Sequence, residues 1–130
     1  MAGTVTVTRD PRRAPNEGKA IERISVRWTS DASGNADVSI TNLYGFLVKF
    51  VTDPTDGPTD NYDFTLIDEN GIDALAGTGV DRDTTTTEQV YPVALNAATP
   101  VFLCGTHTFT IANAGNAKSG VVVIYTIEAQ

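Results

Sequence analysis

Residues 62–75 read Tyr-Asp-Phe-Thr-Leu-Ile-Asp-Glu-Asn-Gly-Ile-Asp-Ala-Leu. Tyr62, Phe64 and Leu66 alternate with Asp63 and Thr65, the period-two pattern of a strand with one buried face. Asn70-Gly71 then signals a tight turn, because a type I′ hairpin needs positive φ at both central positions, which Asn tolerates and Gly adopts without steric cost. Ile72 and Leu75 resume an apolar pattern, so the stretch predicts a β-hairpin near the middle of the chain. Segments of similar length and pattern lie on both sides. They predict an all-β fold, a single-domain antiparallel β-sandwich of jelly-roll or immunoglobulin-like outline with an extended N-terminal arm.

Working outward from the hairpin, strands are predicted over 22–28, 36–40, 44–52, 88–91, 101–104, 108–112 and 120–128. In 22–28, Ile24, Val26 and Trp28 point inward. In 44–52, Phe46, Val48 and Phe50 are expected on one face and Leu47, Lys49 and Val51 on the other. Both faces are largely apolar, which marks Leu47 and Val51 as candidates for self-association outside the core. The last strand is apolar on both faces, with Val121, Val123, Tyr125 and Ile127 on one and Val122 and Ile124 on the other. An exposed edge of that character would aggregate, so it is expected to be central. Residues 53–60 read as a loop, and 93–99 alone carry some helical propensity, for a turn or two at most before Pro100.

The 130 residues suffice for one domain that folds without staples. Cys104 is the only cysteine, which excludes an intrachain disulfide and a thiolate zinc site. Within Val101-Phe102-Leu103-Cys104 it reads as a small buried hydrophobe. No run reaches the ~18 apolar residues of a membrane span, and the N-terminus lacks a signal peptide's apolar core, so a protein made and kept in a cytosol, or leaving it by cell lysis, with no membrane partner is expected.

The net charge is −7, which argues against a nucleic-acid binder. Residues 1–27 hold six of the nine basic residues and carry a local net of +3, whereas the remainder nets −10. Thr4-Val5-Thr6-Val7-Thr8 alternates as a strand but is followed by a stretch containing Pro11, Pro15 and Gly18, expected to be irregular. Such a strand adds either to its own sheet or to a neighbouring chain, and the second is the expectation here. The chain therefore divides into a basic arm, 1–19, and a β-sandwich, 20–130. Thr4, Val5, Val7, Arg9, Arg12, Arg13 and Lys19 are the candidate docking residues. Removing the arm is expected to leave the stability of the body nearly unchanged.

Catalytic chemistry has little footing. His107 is the sole histidine and reads as an ordinary packed or rim residue, no serine lies in a Gly-x-Ser-x-Gly elbow, and the acids fall in turns or at outward strand positions. Asp53 to Asp60 misses the EF-hand spacing, and its two prolines stiffen it against wrapping a cation. No enzyme activity, cofactor or metal is assigned.

Three stretches carry a resemblance: 27–34 (Arg-Trp-Thr-Ser-Asp-Ala-Ser-Gly), 58–66 (Pro-Thr-Asp-Asn-Tyr-Asp-Phe-Thr-Leu) running into 68–73, and 112–120 (Ala-Asn-Ala-Gly-Asn-Ala-Lys-Ser-Gly) before Val121 to Tyr125. Together they resemble small structural proteins of tailed bacteriophages. The resemblance covers most of 27–125, leaves the arm outside, and carries no catalytic residue. It implies a virion protein assembled in the host cytoplasm, with a capsid decoration (cement) role first and a tail or head-to-tail connector role second. The implied partners are the major capsid protein and further copies of the chain, closed as a homotrimer. A host-surface or carbohydrate-binding module suits the same fold, and would show an exposed aromatic platform.

Overall fold

One strand of 21 residues, Ala36–Asp56, runs through both layers of the molecule and organises the rest. The computed structural model describes residues 3–13, 20–58, 61–94 and 97–127. In chain order the strands are β1 (Thr4–Arg13), β2 (Ala20–Thr29), β3 (Ala36–Asp56), β4 (Asp63–Ile67), β5 (Glu88–Val90), β6 (Val93–Ala94), β7 (Ala97–Ala98), β8 (Val101–Ala112) and β9 (Ser119–Ile127). Seven form one open sheet in the order β1-β2-β9-β3-β8-β4, with β5 also on β3, while β6 and β7 pair separately. Every pairing is antiparallel, and the described residues contain no helix. The expected class, an all-β, sandwich-like single domain, is what the chain forms.

The open sheet bends over its own core because β3 changes partner along its length. Residues 36–47 pair with β8 and residues 46–56 with β9. Near the change, register slips between Ile40 and Leu43, Asn42 takes φ 56° and Gly45 φ 117°, and Gly105 on β8 takes φ 100°. A bulge of this kind bends a strand and sharpens its twist, which turns one half of the sheet over the other. The rings confirm the bend. Phe50 on β3 meets Phe64 on β4 edge-on at 5.1 Å, Phe64 meets Phe109 on β8 at 5.0 Å, and Trp28 on β2 meets Tyr62 at 5.3 Å. Phe64 and Phe109 are neighbours on the paired strands β4 and β8, whereas three strands separate β2 from β4 within the sheet, so the Trp28–Tyr62 contact is made face to face across a core.

The pattern that predicted the central hairpin holds on its first arm: Tyr62, Phe64 and Leu66 are fully buried. The turn differs from the expected type I′. Asn70 keeps a negative φ and only Gly71 is left-handed, at 80°, with Gly71 N donating to Asp68 O at 3.0 Å and Asp68 N to Ile72 O at 2.8 Å. This is a type I turn closed by a left-handed glycine. The Asp68 carboxylate selects it by accepting the N–H groups of Asn70 and Ile72 at 2.9 and 3.0 Å. The second arm is only a bridge from Asp73 to Ile67.

Other expectations are corrected by long-range pairing. Residues 36–40, 44–52 and the first half of the presumed loop at 53–60 are one strand, and 101–104 and 108–112 another. Around 93–99 the chain forms the small β6-β7 pair instead of a helical turn, with 95 and 96 outside the described residues. Cys104 is exposed, because alternation along β8 buries Leu103 and turns Phe102 and Cys104 outward. The last strand is central as expected, between β2 and β3.

Beneath the Trp28–Tyr62 contact, Trp28 Nε1, Thr52 Oγ1 and Tyr62 OH are buried without a hydrogen-bond partner. Burial pushes the Tyr62 phenol up to about 12, and the nearby Thr52 hydroxyl, short of hydrogen-bond geometry, opposes this only in part. A raised phenol pKa means stability that is complete below the ordinary value near 10 and is lost as pH rises through the folded value. Tyr62→Phe is therefore expected to melt at or slightly above the wild-type temperature at pH 7, since it removes an unpaired buried hydroxyl, and to lose less stability between pH 10 and 12. Thermal melts across that range check it. A large destabilisation at pH 7 would show that the hydroxyl is satisfied.

Candidate interaction surface

The N-terminal stretch is part of the sheet. β1 lies antiparallel on β2 in unbroken register from Thr4 opposite Thr29 to Arg13 opposite Ala20, and Val5 and Val7 pack against the core. The expectation that Thr4–Thr8 leaves for another chain, with irregular backbone from Arg9 on, is therefore corrected over 4–13, while 14–19 lie outside the described residues. β2 offers an unpaired edge within reach, and an edge strand tolerates Pro11 because one side of its ladder is open.

Arg9 shows how firmly β1 is held. Its Nε and Nη2 donate to the Glu22 carboxylate at 2.8 and 2.7 Å, and its remaining donors reach the carbonyls of Thr41 and of Asn42, the latter at 3.0 Å. Those carbonyls lie at the bulge, where β3 has slipped out of register with β8. The Glu22 hydrogen bonds raise the guanidinium pKa further above its ordinary value. Arg9 is thus a strut across β1, β2 and β3, a role the sequence reading missed by assigning it to a partner. The backbones of Arg12 and Arg13 are in β1, Lys19 lies outside the described residues, and Asp10 pairs with Arg23 at 3.2 Å. The other edge of β1 has no strand partner among the described residues.

Leu47 and Val51, the self-association candidates, are separated by the structure. Leu47 is fully buried in the core, and its assignment to an interface is corrected. The reason is a register shift between Leu47 and Lys49 that inserts one residue, so that Leu47 and Phe50 point inward while Phe46 turns out. Val51 stays on the outward face, half-buried, opposite Val123 of β9. Beside it, Lys49 Nζ sits 4.8 Å over the Tyr125 ring and donates to Gln89 Oε1 at 2.6 Å.

The groups able to carry chemistry are used structurally. His107 is buried, with Nδ1 3.3 Å from Gly105 O. Many acids cap turns. Asp73 accepts the N–H groups of Leu66, Leu75 and Gly77, and Asp63 accepts those of Asp81 N and Asn113 Nδ2. Backbone hydrogen bonds, from Asn35 first for Asp31 and from Thr85 first for Asp83, hold these two carboxyls below the usual range. Asp53, from the loop weighed for calcium, accepts from Thr87 Oγ1 at 3.0 Å, and no cluster of three or more metal-ligating side chains occurs among the described residues. What the surface can do is bind by main-chain pairing along β1 and by apolar contact across the outward faces of β2, β9, β3 and β8.

The fold and this surface define an all-β, sandwich-like domain in which β1 has an open strand edge among the described residues. No protein-family model and no curated protein matches the chain.

Proposed function

We propose that the chain is a non-enzymatic structural protein of a bacteriophage virion, a decoration protein that seats on the capsid surface and stabilises the major capsid protein lattice. The observation that carries this reading is the open edge of β1, a strand of net positive sequence charge on an otherwise acidic body. An edge strand accepts an extended segment of a partner by main-chain hydrogen bonding, and basic side chains beside it draw in an acidic partner surface. The resemblance of the turn segments 27–34, 58–73 and 112–120 to phage structural proteins supports the virion setting. Repetition of one self-contact about a local threefold point would give the trimer that the resemblance implies.

Co-sedimentation of the purified chain with undecorated phage capsids tests the reading. Saturable binding is expected at low salt, weakening several-fold as the Debye length falls from about 10 Å at 0.1 M to about 3 Å at 1 M. Binding to tails or connectors alone would move the protein to that position in the particle, and binding to no particle component would overturn the proposal.

One observation favours a second reading, a carbohydrate-binding module. Tyr44, Phe46, Tyr91 and Phe102 are each 40% exposed or more. The Phe46 and Phe102 rings are tilted by 59° and so form no flat platform. Saturable glycan binding abolished by Tyr44→Ala would favour the module over the virion protein.

A further inference from the structure

We infer that the outward apolar face crossing β2, β9, β3 and β8 is a self-association surface, and that a second copy of this chain covers it. This extends the self-association named above and does not depend on a capsid. Four side chains stand in one register row: Ile21 opposite Ile127, Ile127 opposite Phe46, and Phe46 opposite Phe102. Four adjacent strands make such a row about 15 Å long. Phe46 and Phe102 touch at 5.6 Å between ring centroids, and Tyr44, one outward position further along β3, stands opposite Cys104. Exposure is 41% for Ile21, 40% for Phe46, 62% for Phe102 and 61% for Tyr44, in strands whose inward neighbours Leu47 and Leu103 are fully buried.

Together these side chains present roughly 400 Å² of apolar surface, about half of what each partner buries in a standard interface, so the rim must supply the remainder. The rim is charged with opposite signs on its two sides. Towards Tyr125 lie Lys49 and Arg23, whose register positions flank the row; Arg23 is paired with Asp10 at 3.2 Å, so Lys49 supplies the net positive charge of that side. Towards Cys104 lie Asp68 and Glu69, which line a shallow pocket with Phe102 and Cys104, Glu69 being held by the Thr106 N–H at 2.9 Å. A second copy turned over about an axis along the row stacks apolar row on apolar row and brings the Lys49 side of one chain towards the Glu69 side of the other. A face that is its own complement in this way is suited to a second copy. A uniformly acidic or basic partner would match one rim and be repelled by the other.

The test is the solution mass of the full chain by light scattering after size exclusion, at tens of micromolar. The wild type is expected at two or more times the 13.8 kDa chain mass. Phe102→Glu and Tyr44→Glu are each expected to reduce it to one chain, with unchanged far-ultraviolet spectrum and melting cooperativity. Val80→Glu, at an exposed position away from the row, is expected to leave the mass unchanged. A monomeric wild type overturns the inference, as does an oligomer that survives both substitutions in the row. Because both row positions are exposed, a folded monomer in either variant is sufficient support, even if the other fails to fold.

Discussion

Deleting residues 1–13 is expected to lower the melting temperature by roughly 10 °C or more, a loss of about 3 kcal/mol in a domain of this size. The cost comes from three sources that the fold joins together. The truncation strips the β1 ladder from β2 and exposes the β2 edge, removes Val5 and Val7 from the margin of the core, and takes away the Arg9 donors that serve Glu22, Thr41 and Asn42. The last effect reaches furthest, because those two carbonyls lie at the bulge that lets β3 serve both halves of the sheet. Arg9→Ala should reproduce part of the loss and Thr6→Ala much less, since Thr6 is exposed. Thermal and urea melts decide the matter. A truncated chain melting within a degree or two of the full one would mean that 1–13 is a dispensable arm after all.

Leu47→Asp is expected to abolish cooperative folding. Leu47 is fully buried among the core residues, so the substitution removes an apolar side chain, worth about 2–5 kcal/mol when truncated, and adds a carboxylate with no partner there. A total stability of about 5–15 kcal/mol cannot absorb both. Val51→Asp, four residues along the same strand, should leave the chain folded, because Val51 stands half-buried on the outward face opposite Val123. Circular dichroism and a urea titration of the two variants separate the cases. A folded Leu47→Asp chain would mean that the parity of β3 is the one its sequence suggests, with Leu47 outward.

These two variants mark where local sequence stops being informative. Tyr62, Phe64 and Leu66 declare a half-buried strand by alternation alone, and a side chain's face within a short regular strand is a local property. The two apolar faces of 121–127 likewise announced a central strand, because only a strand flanked on both sides can keep such a surface from aggregating. Turn carboxylates such as Asp68 could be read as turn formers, since their hydrogen bonds reach only two to four residues along the chain.

The candidate surface was legible only in part. Val51 was read as outward, where it stands, because its strand is apolar on both faces, but Leu47 was misplaced by one inserted residue. A bulge leaves little trace in composition and reverses every side chain beyond it. The row Ile21, Ile127, Phe46, Phe102 joins positions more than a hundred residues apart, so its continuity depends on registers that no local pattern encodes.

Sequence by itself determined that this chain is a β protein, that Tyr62, Phe64 and Leu66 share a buried face, that the last strand is central, and that a single cysteine forms no intrachain disulfide. Tertiary structure decided that β1 belongs to the chain's own sheet, that β3 is one bent strand shared by both halves, that Leu47 is core and that Cys104 is exposed. The physical reason is the same in each case. Periodicity states which residues share a face, whereas the choice of neighbouring strand, and the bulges that accommodate it, come from the competition of distant segments for unpaired edges.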